Sequence, residues 1–196
     1  MSKVIVYFDL ICPYCYLGRG FWLEMQKERP VESEWIPWEL NPDLPPEGSP
    51  VAPERQKARI DKLRELAGAC RAFSDEPNAF SASSRNALLG LEFARTQGKT
   101  EDYIERFFAA YYRERVNIST IDEVTRLGAE LGLDAKALRA SVESREYEDT
   151  LARNDRAAEA MGLEVMPSYT ADGRLLMAGS VRMDFNEFRA QYLTVF

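Results

Sequence analysis

The chain has 196 residues, 45% hydrophobic and 29% charged, the composition of a folded globular protein able to bury a sizeable core. Acidic residues outnumber basic ones, 32 to 25; a net charge of −7 without concentrated Lys/Arg argues against nucleic acid as a general partner. Histidine is absent, which excludes a Ser-His-Asp triad, a Cys-His pair and imidazole metal ligands.

The N-terminal Met-Ser-Lys leads at once into Val4-Ile5-Val6-Tyr7-Phe8, a β-branched and aromatic run that predicts a buried strand. No signal-type apolar region precedes it, and no run approaches the roughly 20 apolar residues of a membrane span, so the expected compartment is the cytoplasm. A helix is predicted from 13 to about 29 and a second strand over 31–38. This β-α-β unit favours a parallel pair with a right-handed crossover. The segment NPDLPPEGSP, with four prolines in ten residues, predicts an extended loop.

From Pro53 to about Gly162 every periodic segment reads as helix. Ile60, Leu63, Leu66 and Ala67 fall on one face; Ser84 is placed to cap the next helix, with Leu88 and Leu91 inward. Tyr103, Ile104, Phe107, Phe108, Tyr111 and Tyr112 form an apolar stripe, mostly core but wide enough to lend an aromatic or two to a cleft. Thr120 and Glu123 predict a capping box, Asp134 starts a short helix, and a last one runs from about 145 to 161. Strands then flank Asp172-Gly173, a type I′ hairpin signal, and a helix over about 184–192 closes the chain.

The order is β-α-β, a helical block, then β-β-α. Its ends together make a mixed α/β sheet of thioredoxin type, so the expected division is 1–50 and 163–196 as the two parts of a thioredoxin-like domain, with 51–162 an inserted helical domain.

Two of the three cysteines, Cys12 and Cys15, stand at the junction of the first strand and helix in CPYC. A cytoplasmic chain makes a structural disulfide improbable, and a lone CxxC with distant Cys70 is one ligand short of a zinc site. A working redox pair fits better. The helix N-terminus offers unpaired amides and a positive dipole end that favour a thiolate at Cys12, and Pro13 suits the first turn because it has no N–H. Cys15, two residues on, is the expected resolving thiol. Asp9 either handles the proton of the pair or is a helix-start residue bonded to backbone; Glu39 is either a buried proton acceptor for Cys15 or a solvated strand end. Cys70 reads as a small half-buried residue, or as a regulatory thiol with no partner of its own.

The segments DLICPYCYLG, WELNPDLPPEG, VMPSY and MAGSVRMDFNEF resemble the DsbA-like branch of the thioredoxin superfamily, most closely FrnE-like dithiol-disulfide oxidoreductases. The resemblance implies that Cys12 and Cys15 are the redox pair and that Pro167 is a cis-proline packed beside them. It also implies that the helical domain overhangs the site, and that the backbone of Met166 offers a short edge to a bound peptide. Pro13 and Tyr14 between the cysteines, and Val165 and Met166 before Pro167, are then the substrate-facing positions. Two departures are Tyr14, where an aromatic such as Trp is common, and Val165-Met166, where Gly-Val is usual.

The implied activity is thiol-disulfide exchange with protein or small-molecule thiols, with no cofactor beyond the cysteine pair and glutathione as a possible co-substrate. No metal, nucleic-acid or membrane partner is expected, and monomer and homodimer stay open. Without the histidine of DsbA between its cysteines, the pair should be a milder oxidant, in roughly the −180 to −270 mV band. The same fold serves 2-hydroxychromene-2-carboxylate isomerase and kappa-class glutathione transferases, which use serine at the first cysteine position. A glutathione-dependent isomerase or transferase is therefore the alternative.

Overall fold

The structure, a computed structural model, describes residues 3–179 and 183–196. Part of the MAGSVRMDFNEF segment, 180–182, therefore lies outside the described residues. In chain order the elements are β1 (Val4–Phe8), α1 (Pro13–Glu28), β2 (Ser33–Pro37), β3 (Ser49–Pro50), α2 (Pro53–Ala67), β4 (Phe80–Ser81), α3 (Arg85–Thr96) and α4 (Thr100–Tyr112). They continue with α5 (Ile121–Glu130), α6 (Ala135–Glu143), α7 (Glu148–Ala160), β5 (Ser168–Ala171), β6 (Arg174–Ala178) and α8 (Phe185–Val195).

The main sheet has the order β2-β1-β5-β6. β1 pairs with β2 in parallel and with β5 antiparallel, so β1 is central and its run of apolar residues is buried on both faces. Val4, Val6 and Phe8 point into the larger core, where Phe8 meets Trp35 edge-on at 5.2 Å and Trp22 stacks on Tyr169 at 5.3 Å. Tyr7 turns the other way onto Ala158 and Leu163, so α7 covers the opposite face. The β5–β6 turn has positive φ at Asp172 (51°) and Gly173 (70°), as a type I′ hairpin demands.

Several local expectations are corrected. A second, two-stranded ribbon joins β3 and β4 in antiparallel register, in stretches read as loop and as helical block. Two-residue strands carry no period of their own; their pairing is a tertiary event. The helix expected from about 145 begins at Glu148, because Arg145 adopts a left-handed φ of 56° that ends regular winding. Thr120 accepts from the Glu123 amide at 3.3 Å, but the Glu123 carboxylate turns to Arg126 instead of closing the box. A complete capping box forms at Asp184 and Glu187. Ser84 stands at the start of α3 yet makes no side-chain cap.

Candidate active site

The C-terminal ends of β1 and β2 and the start of β5 meet at one edge of the sheet, and the CPYC segment begins there. Cys12 is the N-cap residue of α1, with extended backbone (φ −80°, ψ 114°) and no side-chain cap of its own. Its carbonyl accepts from the Cys15 and Tyr16 amides at 3.0 and 3.1 Å, which starts the helix. Pro13 is the first helical residue and is buried; Tyr14 follows, half-buried against the core. Both site cysteines are free thiols. Cys15 is fully enclosed, whereas Cys12 keeps 3% of its surface.

Across from the pair runs the segment before β5. The Met166–Pro167 peptide is cis, and the Cys12 thiol donates to the Met166 carbonyl at 3.7 Å. Met166 is buried and Val165 exposed, its carbonyl taken by the Ser168 hydroxyl at 2.6 Å. Gly179 lies directly behind this turn. A Cβ there would sit 2.3 Å from the Pro167 carbonyl oxygen, so only glycine lets the end of β6 pass so close to the cis peptide.

Below the pair Asp9 is completely buried. Its carboxylate accepts from the Ile11 amide (3.0 Å), the Leu40 amide (2.7 Å) and the Ser84 hydroxyl (2.8 Å). Burial outweighs these donors and lifts the carboxyl to about 6. Burial also pushes the Cys15 thiol well up, reinforced by Cys12 and by the charge of Asp9 and partly offset by a backbone hydrogen bond from Asp9. Glu39 lies elsewhere in the network. Its buried carboxylate is held by Arg85, which also grips Glu148, and its charge acts on Asp9 rather than on Cys15.

The inserted helices roof the site. Tyr112, at the end of α4, stacks on Tyr16 at 4.6 Å and donates its hydroxyl to the Ile11 carbonyl at 2.6 Å. Tyr111 and Tyr112 line a narrow cleft, open at its mouth, whose walls also include Ile11, Pro13, Leu40 and Arg59. Cys70, past the end of α2, is half-buried in a separate groove beside Glu24 and Phe185, and burial raises its thiol. Among the described residues no three His, Cys, Asp or Glu side chains converge as a metal set, and no helix is long and apolar enough to cross a membrane.

Sequence reasoning missed Ser84 as the partner of Asp9, Arg85 as the partner of Glu39, and Gly179. The tyrosine stripe carried a signal for Tyr112; nothing local marks the other three, whose partners lie beyond their own element of the chain.

The profile of the DSBA-like thioredoxin domain matches residues 3–190, nearly the whole chain. The chain belongs to the DsbA-like thioredoxin domain family. Within reach of this DsbA-like protein is YwbO of Bacillus subtilis (strain 168), itself uncharacterized, 30% identical over 185 residues covering 93% of this chain and 92% of YwbO. A probable DsbA oxidoreductase from Streptomyces coelicolor superposes with a TM-score of 0.85 at 22% identity, over 98% of this chain and 89% of that one. The cytosolic disulfide reductase DsbM of Pseudomonas aeruginosa, also solved with GSH, superposes at 0.74 and 18% identity over 98% and 96%. At those identities the two structures speak for the fold, a thioredoxin-type sheet with a helical insertion.

Proposed function

We propose that this DsbA-like protein is a cytosolic thiol-disulfide oxidoreductase in which Cys12 attacks and Cys15 resolves. The observation that carries this reading is the arrangement of two free thiols, one at the N-cap of α1 and one sealed a turn inside, facing the Met166 carbonyl. The Cys12 thiolate bonds to one sulfur of a substrate disulfide; that S–S bond breaks, and the first substrate thiolate leaves and takes a proton. Cys15 then gives up its proton and attacks the Cys12 sulfur, expelling the second substrate thiol. Two electrons pass from the protein dithiol to the substrate, and a Cys12–Cys15 disulfide remains.

Cys15 is buried and its thiol is raised, so it needs a base. Asp9, buried and held at about 6, is that base; near neutrality it is mostly ionised and ready to take the proton. Glu39 supports it from the Arg85 cluster. Pro13, Tyr14, Val165 and Met166 frame the approach of substrate, and the Met166–Pro167 turn presents backbone to it. In a cytosol that keeps such pairs reduced, net reduction or isomerisation of disulfides in proteins or small molecules is the expected direction, with glutathione a candidate partner.

The test is Cys15→Ala. It should accumulate mixed disulfides on Cys12, seen by intact-mass measurement, and lose multiple turnover. Should the variant instead keep full turnover of a small aromatic substrate with glutathione, a glutathione-dependent isomerase replaces this reading.

A further inference from the structure

The cleft roofed by Tyr111 and Tyr112 carries an uncompensated charge. On α2, Lys57 and Arg64 both close on Asp61 and Lys62 on Glu65, but Arg59 has no acidic partner among the described residues. The acid lining the same cleft, Glu76, is tied to Arg115 at 2.6 Å, so the cleft presents a free guanidinium in a chain of net charge −7. Asp43 lines the adjoining groove beyond Asn41, not this one. The cleft adjoins the reacting sulfur, since Ile11 and Pro13, the chain neighbours of Cys12, line it. Burial raises the Tyr112 hydroxyl, and among the charges that act on it are Cys12, which raises it further, and Arg59, which lowers it.

Asn78, on the same wall, is held by donating its amide nitrogen to the Tyr111 carbonyl at 3.0 Å. An arginine fork with no carboxylate, on the wall of a cleft beside Cys12, is the complement of an anionic ligand.

Building on the proposed exchange at Cys12, we propose that this cleft selects disulfides carrying a carboxylate near the sulfur, recognised by Arg59. The chemistry is shared by small acidic disulfides and by cystine peptides with a neighbouring acidic side chain. Arg59 is the specificity residue; the electron flow is that given above, from the protein dithiol to the selected substrate.

The experiment is single-turnover oxidation of the fully reduced full chain, read by acid quench and thiol alkylation. Dithiodipropionate, hydroxyethyl disulfide and cystamine serve as anionic, neutral and cationic probes, at low and high salt. In the wild type the anionic-to-neutral rate ratio should fall with salt. Arg59→Gln should lower that ratio about fivefold, and Arg59→Glu should shift preference to cystamine. A parallel pair of cystine peptides, with Asp or Lys beside the cysteine, identifies the source. Arg59-dependent preference in the peptide arm or in the small-molecule arm supports the inference and names its ligand. A ratio indifferent to Arg59 in both arms overturns it, while exchange chemistry stands. If no probe oxidises the wild-type pair, the exchange reading itself fails.

Discussion

Asp9 concentrates the site's electrostatics in one carboxyl. Burial holds it at about 6, above its ordinary 3.8, so the folded protein binds this proton more tightly than the unfolded chain does. That contribution to stability is complete below about pH 4 and is lost as pH rises through 6, on the order of 2–3 kcal/mol. Burial raises Glu39 and Asp155 as well, in the same sense. Asp9→Asn should therefore flatten, without abolishing, the fall in urea midpoint between pH 4 and 7. The same variant should slow the Cys15 resolution step and remove an inflection near pH 6 from its rate profile. Ser84→Ala deprives the ionised carboxylate of a 2.8 Å donor and should move that inflection upward. Ser84→Thr should restore it, an outcome that a merely structural role for the hydroxyl would not produce. The groups whose charge bears on this titration are Cys15 from α1, Glu39 with Arg85, and Tyr111 from α4.

Helix α1 is buried around most of its circumference, because the sheet lies under it and the inserted helices over it. One consequence is that a charged residue, Arg19, is only 2% exposed. It survives there by pairing with Glu105 at 2.8 Å and with Glu101, while its guanidinium lies 4.8 Å from the Trp35 ring. Arg71 completes the knot, bonding Glu105 at 2.8 Å and the Tyr16 carbonyl at 3.1 Å. Burial raises Glu105, and the two arginines more than offset it, leaving the carboxyl lowered. Its contribution is thus present at neutral pH and lost as pH falls. Glu105→Gln should cost about 2–3 kcal/mol in denaturant unfolding, most of it from leaving Arg19 with only its exposed partner. Glu101→Gln, which removes that exposed partner, should cost under about 1 kcal/mol.

At the scale of the whole molecule, one apolar cluster runs from Val4, Phe8 and Trp35 through Tyr16 to Phe108, Leu127 and Leu138. Residues of the sheet and of the inserted helices share it. Unfolding should accordingly be a single transition, with tryptophan fluorescence, which reports Trp22, Trp35 and Trp38 at the sheet, and far-UV ellipticity, dominated by helix, giving coincident curves. Two separated midpoints would mean that the insertion holds together by itself.

Much of this architecture was legible in the sequence because it rests on local rules. A continuous apolar run made β1 central, proline after Cys12 opened α1, and Asp172-Gly173 turned the hairpin. Each depends on a few neighbouring residues and the conformations they allow. The site was legible only in outline. CPYC and Met166-Pro167 stand out as motifs, but no local signal joins Ser84 to Asp9, Arg85 to Glu39 or Gly179 to Pro167. Those partners are brought together by chain segments from about a dozen to 75 residues apart, and a serine before a helix looks like a cap whatever its hydroxyl finally meets. Composition and spacing by themselves determined the order of strands and helices along the chain, the helical insertion and the placing of Cys12 and Cys15 at the start of α1. Tertiary packing alone decided which polar groups would be sealed from water beside them, since the cost of burying a carboxylate, and the donor that offsets it, exist only once the chain has closed.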